Sequence, residues 1–323
     1  MSALEVLVVG AGAVGQVYGH HLARGGANVT FYVRERYRAE AARGAALTHL
    51  RSRKRRQLHA PRPTAVVCSA EEVAARRFDQ VYLAIPSTGL ARPWLDALVS
   101  AVGDAVLVCL TPSPGDRELL LAAGAAPQRL VSGLLSIVAY QAPLVGQPDD
   151  GPEGTTVWYP PGSPCLFSGP AEARDAVIAA LRAGKLPAGA HADVPAKGAF
   201  LSSTFMAILL ALESCGWSLR ELARPASLEA ACAGARQAIA ITAQSFGRAP
   251  LGVRLAVRPL PLRIVLRVAP HVVPFPLEPY LRIHFTKVGA QTRHIVRRTI
   301  ERGRAAGLQV SALEALLAKV PAS

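Results

Sequence analysis

Apolar positions along this chain fall into two regimes. As far as residue 194, short β-branched and aliphatic runs alternate with stretches of helical period, and beyond it only the helical period recurs. Val6–Val9, Asn28–Val33, Ala65–Cys68, Asp79–Ile85 and Ala105–Leu110 are continuous apolar runs of the kind found in strands of a parallel sheet covered on both faces. Arg129–Tyr140 and Thr155–Phe167 each read as one further strand, separated by a polar Gly/Pro/Asp loop at Gly146–Gly154, and His191–Val194 reads as a short extended piece. Helices are expected from Ala13 to the Gly25-Gly26 pair, over Glu35–Arg43, Ser69–Ala75 with Ser69 as N-cap, Trp94–Val102, Asp116–Ala123 and Glu172–Ala183. Residues 45–66 alternate poorly and carry the RSRKRR run at Arg51–Arg56. After the boundary, Lys197–Cys215, Ser227–Phe246, Gln291–Ala306 and Ser311–Val320 read as helices. The expected architecture is an α/β domain over residues 1–194 followed by an all-helical domain over residues 195–323.

The first strand runs straight into Gly10, Gly12 and Gly15, a G-x-G-x-x-G spacing that opens a helix and is followed by a second strand. In that context the first glycine permits the tight turn, the second lets a pyrophosphate approach the backbone, and the third lets helix and strand pack closely. Gly10, Ala11, Gly12, Ala13, Val14 and Gly15 are therefore expected to line a dinucleotide's phosphates at the positive end of the helix. NAD-preferring sites place an acid at the end of the second strand, where this chain has Arg34, with Arg36 and Arg38 close behind. A guanidinium holds a 2'-phosphate in a bidentate pair, so NADPH is expected over NADH. The alternative for Arg34 is an exposed surface arginine. Ile85, Pro86 and Ser87 follow another parallel strand at its carboxyl end, where open α/β sheets bind their ligands, and join the expected cofactor site.

Composition narrows the class further. With 323 residues and 51% hydrophobic content the chain has material for two packed domains, which excludes a disordered chain. Five cysteines with no C-x-x-C pair argue against a disulfide framework or a zinc site, and fit a reducing cytoplasm. The apolar start is short and lacks a basic leader, so no signal peptide is expected. Ala199–Leu212 is short for a membrane span, and Leu251–Pro276 is interrupted by Arg254, Arg258, Arg263, Arg267 and several prolines; no membrane partner is expected. The net charge of +14 favours anionic ligands. Its densest run, RSRKRR at Arg51–Arg56, reads as a solvated turn, with a phosphate or polyanion contact as the alternative. No aromatic residues interleave it, so no specific nucleic-acid partner is expected.

Several features together resemble the ketopantoate reductase family, NADPH-dependent 2-dehydropantoate 2-reductases with a helical domain of the 6-phosphogluconate dehydrogenase C-terminal type. They are GAGAVG at Gly10–Gly15, YVR ending at Arg34, FDQVYLAI ending at Ile85, PGSPCLFSG before the boundary, a lysine opening the first helix of the second domain, and a G-x-x-x-G-L signature at Gly303–Leu308. The resemblance implies a Rossmann-type NADPH-binding domain, hydride transfer to a keto group, and Lys197 as the general acid on the substrate oxygen. It also implies a small carbonyl substrate held between the domains, and it is compatible with a homodimer.

Other positions depart from the family in one direction. Where the family carries a lysine after the strand ending at Ile85, this chain has Pro86 and Ser87; where it has an asparagine loop, the chain reads Leu110-Thr111-Pro112-Ser113. One and two turns past Lys197, Leu201 and Phe205 replace asparagines, and Gln291 stands in the place of a substrate-binding glutamate. Ser203, His284, Lys287 and Arg293 are candidate new contacts, and Glu278 is an alternative acid. Sites that lose hydrogen-bonding partners lose discrimination for the polar substrate. The expectation is a reductase acting on a carbonyl compound bulkier or less polar than ketopantoate, with a catalytically weak NADPH-binding sensor as the alternative.

Overall fold

Val6–Val9 lies in the interior of the larger sheet, and its side chains divide cleanly between two cores. Val6 and Val8 pack with Tyr18, Leu22 and Phe31 on one face, and Leu7 and Val9 with Val81, Leu83 and Leu95 on the other. This is the two-sided burial that a continuous apolar strand requires. The structure is a computed structural model and describes residues 3–44, 46–51, 54–58, 62–111, 115–144, 153–287 and 289–321.

Strand β1 (Glu5–Val9), helix α1 (Ala13–Arg24) and β2 (Asn28–Tyr32) form the opening βαβ unit, with β1 and β2 parallel and Val6 opposite Val29. A 3-10 turn at Glu35–Tyr37 leads into α2 (Arg38–Arg43), so the single helix expected over Glu35–Arg43 is split. Next come β3 (Leu47–Arg51), β4 (Lys54–Leu58), β5 (Ala65–Val67) and α3 (Ala70–Ala74), whose cap Ser69 accepts from the Glu72 amide. β6 (Gln80–Leu83), α4 (Trp94–Ala101), β7 (Val106–Cys109), α5 (Asp116–Ala122) and β8 (Leu130–Leu134) continue the alternation. β9 (Val138–Ala142), β10 (Gly154–Trp158), β11 (Cys165–Ser168), α6 (Ala171–Ala183) and β12 (Ala188–Ala190) complete it.

The larger sheet has eight strands in the order β12-β11-β8-β7-β6-β1-β2-β5, antiparallel only where β11 meets β8. Over its first six parallel strands this is the doubly wound 3-2-1-4-5-6 order, which reverses direction at β1 and opens a crevice beyond the carboxyl ends of β1 and β6. A second sheet, β4-β3-β10-β9, covers the other side of α1. Val17 of α1 is buried with Leu47 of β3 and Val157 of β10.

Three local expectations are corrected. The poorly alternating stretch 45–66 contains the β3–β4 hairpin, in which the charged Lys54–Leu58 strand, nearly all exposed, occupies a sheet edge. Edge strands tolerate such charge because it discourages further pairing. Arg129–Tyr140 is two strands, β8 in the large sheet and β9 in the small one. Thr155–Phe167 likewise divides into β10 and β11, broken at Pro160, Pro161 and Gly162, where prolines offer no ladder amide and Gly162 takes φ +69°.

The chain forms two compact units: the first runs to Pro195, and the second runs from Ala196 onward with Leu144 grouped into it. The second is built from α7 (Val194–Ser214), α8 (Leu219–Leu222), α9 (Pro225–Phe246), α10 (Leu251–Ala256), α11 (Pro259–Val272), α12 (Leu277–Lys287), α13 (Gly289–Ala305) and α14 (Ser311–Leu317). α7 is longer than the apolar stretch read from sequence, long and apolar enough to cross a membrane. The residues that make it so include Phe200, Leu209, Leu210 and Leu212, all buried in the helical core. The G-x-x-x-G-L signature has a packing explanation. A Cβ on Gly303 would fall 2.5 Å from Val310 and 2.6 Å from Ile241, while Gly307, at φ +67°, ends the helix as the Leu308 amide bonds the Gly303 carbonyl.

Candidate functional site

The G-x-G-x-x-G segment sits in the crevice at the sheet's point of reversal. Gly10 takes φ +97°, and a Cβ there would meet the Ile85 side chain at 2.8 Å and the Ala84 carbonyl at 2.9 Å. Its amide donates to the Tyr32 carbonyl at 2.9 Å, anchoring the turn to β2. A Cβ on Gly15 would lie 1.9 Å from the Gly10 carbonyl oxygen, whereas one on Gly12 would meet nothing within 4 Å. The three glycines thus have three separate reasons: turn, open approach and helix-to-turn contact.

Gly12 is the N-cap of α1, and no side chain caps it and no carboxylate lies in the first turn. The amides and the positive dipole end are left for an anion. Ala11 is fixed from the other side, its carbonyl accepting from Gln16 Nε2 at 2.9 Å. Ala13 and Val14 form the first turn of the helix. The residues present therefore fit a dinucleotide pyrophosphate.

Arg34 follows β2, the strand next to β1, and is exposed. Among the described residues it makes no ion pair. Its neighbours are spoken for: Arg38 pairs with Glu35 at 2.9 Å and Glu72 at 2.6 Å, and Arg36 lies over the Tyr37 ring at 4.7 Å. The Arg38 guanidinium holds both carboxyls below the usual range, so they remain ionised and keep Arg38 occupied.

Ile85, Pro86 and Ser87 follow β6 beside Gly10. Ser87 Oγ donates to Asp116 Oδ2 at 2.7 Å, and Asp116, in the first turn of α5, is buried. Sequence reasoning missed this acid; its signal is an Asp opening the helix that follows β7. The Thr111 hydroxyl lies 2.9 Å from the Cys109 sulfur, and Pro112 and Ser113 lie outside the described residues.

In the helical unit Lys197 is half-buried near the start of α7. Leu201 and Phe205, both exposed, follow at four-residue intervals and share its helix face. Phe205 meets Phe285 edge-on at 5.5 Å; Phe285 meets His284 at 4.8 Å, and His284 stacks on Tyr280 at 5.4 Å. Burial lowers the His284 pKa, with Lys287 adding to the effect, so the ring is neutral. An aromatic array thus continues the Leu201–Phe205 face, which spacing alone did not reveal.

The remaining candidates separate. Gln291 lies in the first turn of α13. Arg293 is buried against Glu213 at 3.1 Å and donates to the Pro321 carbonyl at 3.0 Å. The buried Ser203 hydroxyl bonds Thr242 at 3.0 Å. Glu278 accepts from the Leu219 amide at 2.6 Å, which makes it a cap for α8. Arg293, Ser203 and Glu278 therefore have structural partners.

Comparison with known proteins agrees with this architecture. The family model for ketopantoate reductase PanE/ApbA matches residues 6–143. No curated protein matches the chain. Among solved structures, 2-dehydropantoate 2-reductase from Geobacter metallireducens GS-15 is 18% identical, with a TM-score of 0.70 over 98% of this chain and 99% of that one. A PanE/ApbA family ketopantoate reductase from Ralstonia eutropha JMP134 is 19% identical, with a TM-score of 0.69 over 98% of this chain and 96% of that one. D-mandelate dehydrogenase, in a ternary structure with NADH and anilino(oxo)acetate, is 12% identical, with a TM-score of 0.68 over 98% and 96% of the two chains. At these identities the likeness shows a shared fold.

Proposed function

We propose that this chain, whose residues 6–143 carry the ketopantoate reductase PanE/ApbA domain, is an NADPH-dependent oxidoreductase that reduces a keto group to a hydroxyl on a substrate larger and less polar than ketopantoate. The observation that carries the substrate class is the face of α7 on which Leu201 and Phe205 follow Lys197, extended by Phe285, His284 and Tyr280. Such a face favours an aryl or branched apolar group and offers little to a small hydroxylated chain. The fold-mate D-mandelate dehydrogenase, solved with an anilino-substituted oxoacetate, supports an aromatic 2-oxo acid as the substrate class. That neighbour is bound to NADH; the choice of NADPH here rests on the unpaired Arg34 after β2.

When bound, the nicotinamide supplies the hydride. The chain's own residues do the rest. The amides from Gly12 to Gly15 and Arg34 hold the phosphates, and Gly10 brings the backbone close to the Ile85 segment. The Lys197 ammonium donates a proton to the substrate oxygen as negative charge develops there, an interaction stronger in the transition state than in the ground state. Gln291 is assigned to the substrate hydroxyl as donor and acceptor.

NADPH oxidation with ketopantoate and with phenylglyoxylate tests this reading. Phenylglyoxylate is expected to give the higher kcat/KM by about tenfold or more, the worth of one buried apolar group. Lys197→Ala is expected to lower kcat about a hundredfold with NADPH affinity unchanged. Turnover of ketopantoate alone sinks the substrate assignment, and NADPH binding without turnover of either compound favours the sensor.

A further inference from the structure

The RSRKRR run does not end in open solvent. Arg51 and Arg56 come from the two paired strands of the β3–β4 hairpin, and both line a cavity of about 920 Å³. Arg24, in the last turn of α1, and Lys185, just past α6, face the same cavity. Trp158, Tyr159, Leu50 and Leu58 are among its apolar lining residues. Among the described residues no carboxylate lines it, and none of the four cations makes an ion pair. That distinguishes them from arginines such as Arg38, Arg174 and Arg293, each of which has found a carboxylate.

The cavity lies within the N-terminal unit and apart from the dinucleotide cradle. Arg24 is eleven residues beyond Ala13, about 16 Å along α1 at 1.5 Å per residue. The glycines occupy one end of the helix and this cavity the other.

We infer that the cavity is a second ligand site, binding an organic anion with a flat aromatic or acyl body whose phosphate or carboxylate is held by Arg24, Arg51 and Arg56. Its size is that of ordinary small-molecule sites, and its combination of apolar walls with a few convergent charges is theirs too. Guanidinium groups suit phosphate and carboxylate through bidentate pairing. His49, edge-on to Tyr159 at 4.9 Å, agrees with this electrostatic environment: burial lowers its pKa first, and Arg51 and Arg56 lower it further. A bound anion relieves that crowding of positive charge.

The test uses anilinonaphthalene sulfonate, an aromatic anion, titrated by fluorescence into the full chain with excess NADP+ present. Saturable binding is expected, displaced by phenyl phosphate and not by phenol, its neutral counterpart. The double variant Arg24→Ala/Arg56→Ala, which alters two exposed side chains, is expected to weaken the probe by about tenfold or more, as for loss of charge-assisted hydrogen bonds, with NADP+ affinity unchanged. Equal binding by the double variant overturns the inference. So does displacement by a single-stranded oligonucleotide but not by phenyl phosphate, which marks the arginines as a surface for polyanions.

Discussion

His21 Nε2 lies 2.7 Å from the Tyr159 hydroxyl, and His21 Nδ1 lies 2.8 Å from the Gly184 carbonyl oxygen. A carbonyl only accepts, so Nδ1 carries the proton and Nε2 accepts from Tyr159, which places the ring in its neutral form. One side chain thus joins α1, the segment after β10 and the end of α6. Gly184 is required for the approach, since a Cβ there would fall 1.7 Å from the His21 carbonyl oxygen.

That arrangement makes stability depend on pH. Burial, the largest effect, together with His20, Arg24 and His49 and against the bond to the Gly184 carbonyl, lowers the His21 pKa to about 4. An unfolded histidine titrates near 6.5, so the unfolded chain binds the extra proton between these values. The contribution is full above about pH 6.5 and is lost as pH falls toward about 4, close to 2 kcal/mol of it by about pH 5. Urea unfolding at both ends of this window should show the loss, and His21→Gln should remove it. An unchanged pH dependence in the variant refutes the assignment.

The glycines of the cradle should separate by variant. Gly15→Ala drives a Cβ into the Gly10 carbonyl, a backbone atom that cannot yield, and should cost about 3 kcal/mol together with dinucleotide binding. Gly12→Ala meets no protein atom within 4 Å and should melt near the wild-type temperature while binding dinucleotide more weakly. Thermal melts and cofactor titrations of the two variants decide it; equal melting temperatures count against the packing account.

Arg34→Ala should weaken NADPH by about ten- to a hundredfold, as for loss of a hydrogen bond to a charged group, and leave NADH nearly unchanged. Fluorescence titration of both cofactors is the measurement. Equal weakening shows that Arg34 does not read the 2'-phosphate.

Arg293 and Glu213 have side chains only 7% and 14% exposed. Glu213→Ala strands a buried guanidinium and should destabilise the helical unit by about 3 to 5 kcal/mol, whereas Glu213→Leu/Arg293→Met should recover most of that loss. Chemical denaturation of the single and double variants checks both halves. If the single variant is harmless, the pair is not structural.

The sequence by itself determined the parts of this protein in which local chemistry and tertiary need coincide. Val6–Val9 can only be a strand buried on both faces, Gly10, Gly12 and Gly15 specify a turn into a helix N-terminus, and within Lys197–Cys215 the residues Phe200, Ala207, Leu209, Leu210 and Leu212 supply the helical core. Tertiary structure decided what depends on residues distant in sequence. Arg129–Tyr140 and Thr155–Phe167 read as single strands because nothing local shows which sheet each half joins. Lys54–Leu58 looks like a solvated turn until β3 offers it a ladder. Arg38 and Arg34 are alike in sequence, yet among the described residues Glu72 pairs with Arg38 and not with Arg34. The basic run becomes a cavity wall only because α1 and the end of α6 bring Arg24 and Lys185 to it. Periodicity reports burial along one element, whereas a site is assembled across several, and pairing across a fold leaves no periodic trace in the chain.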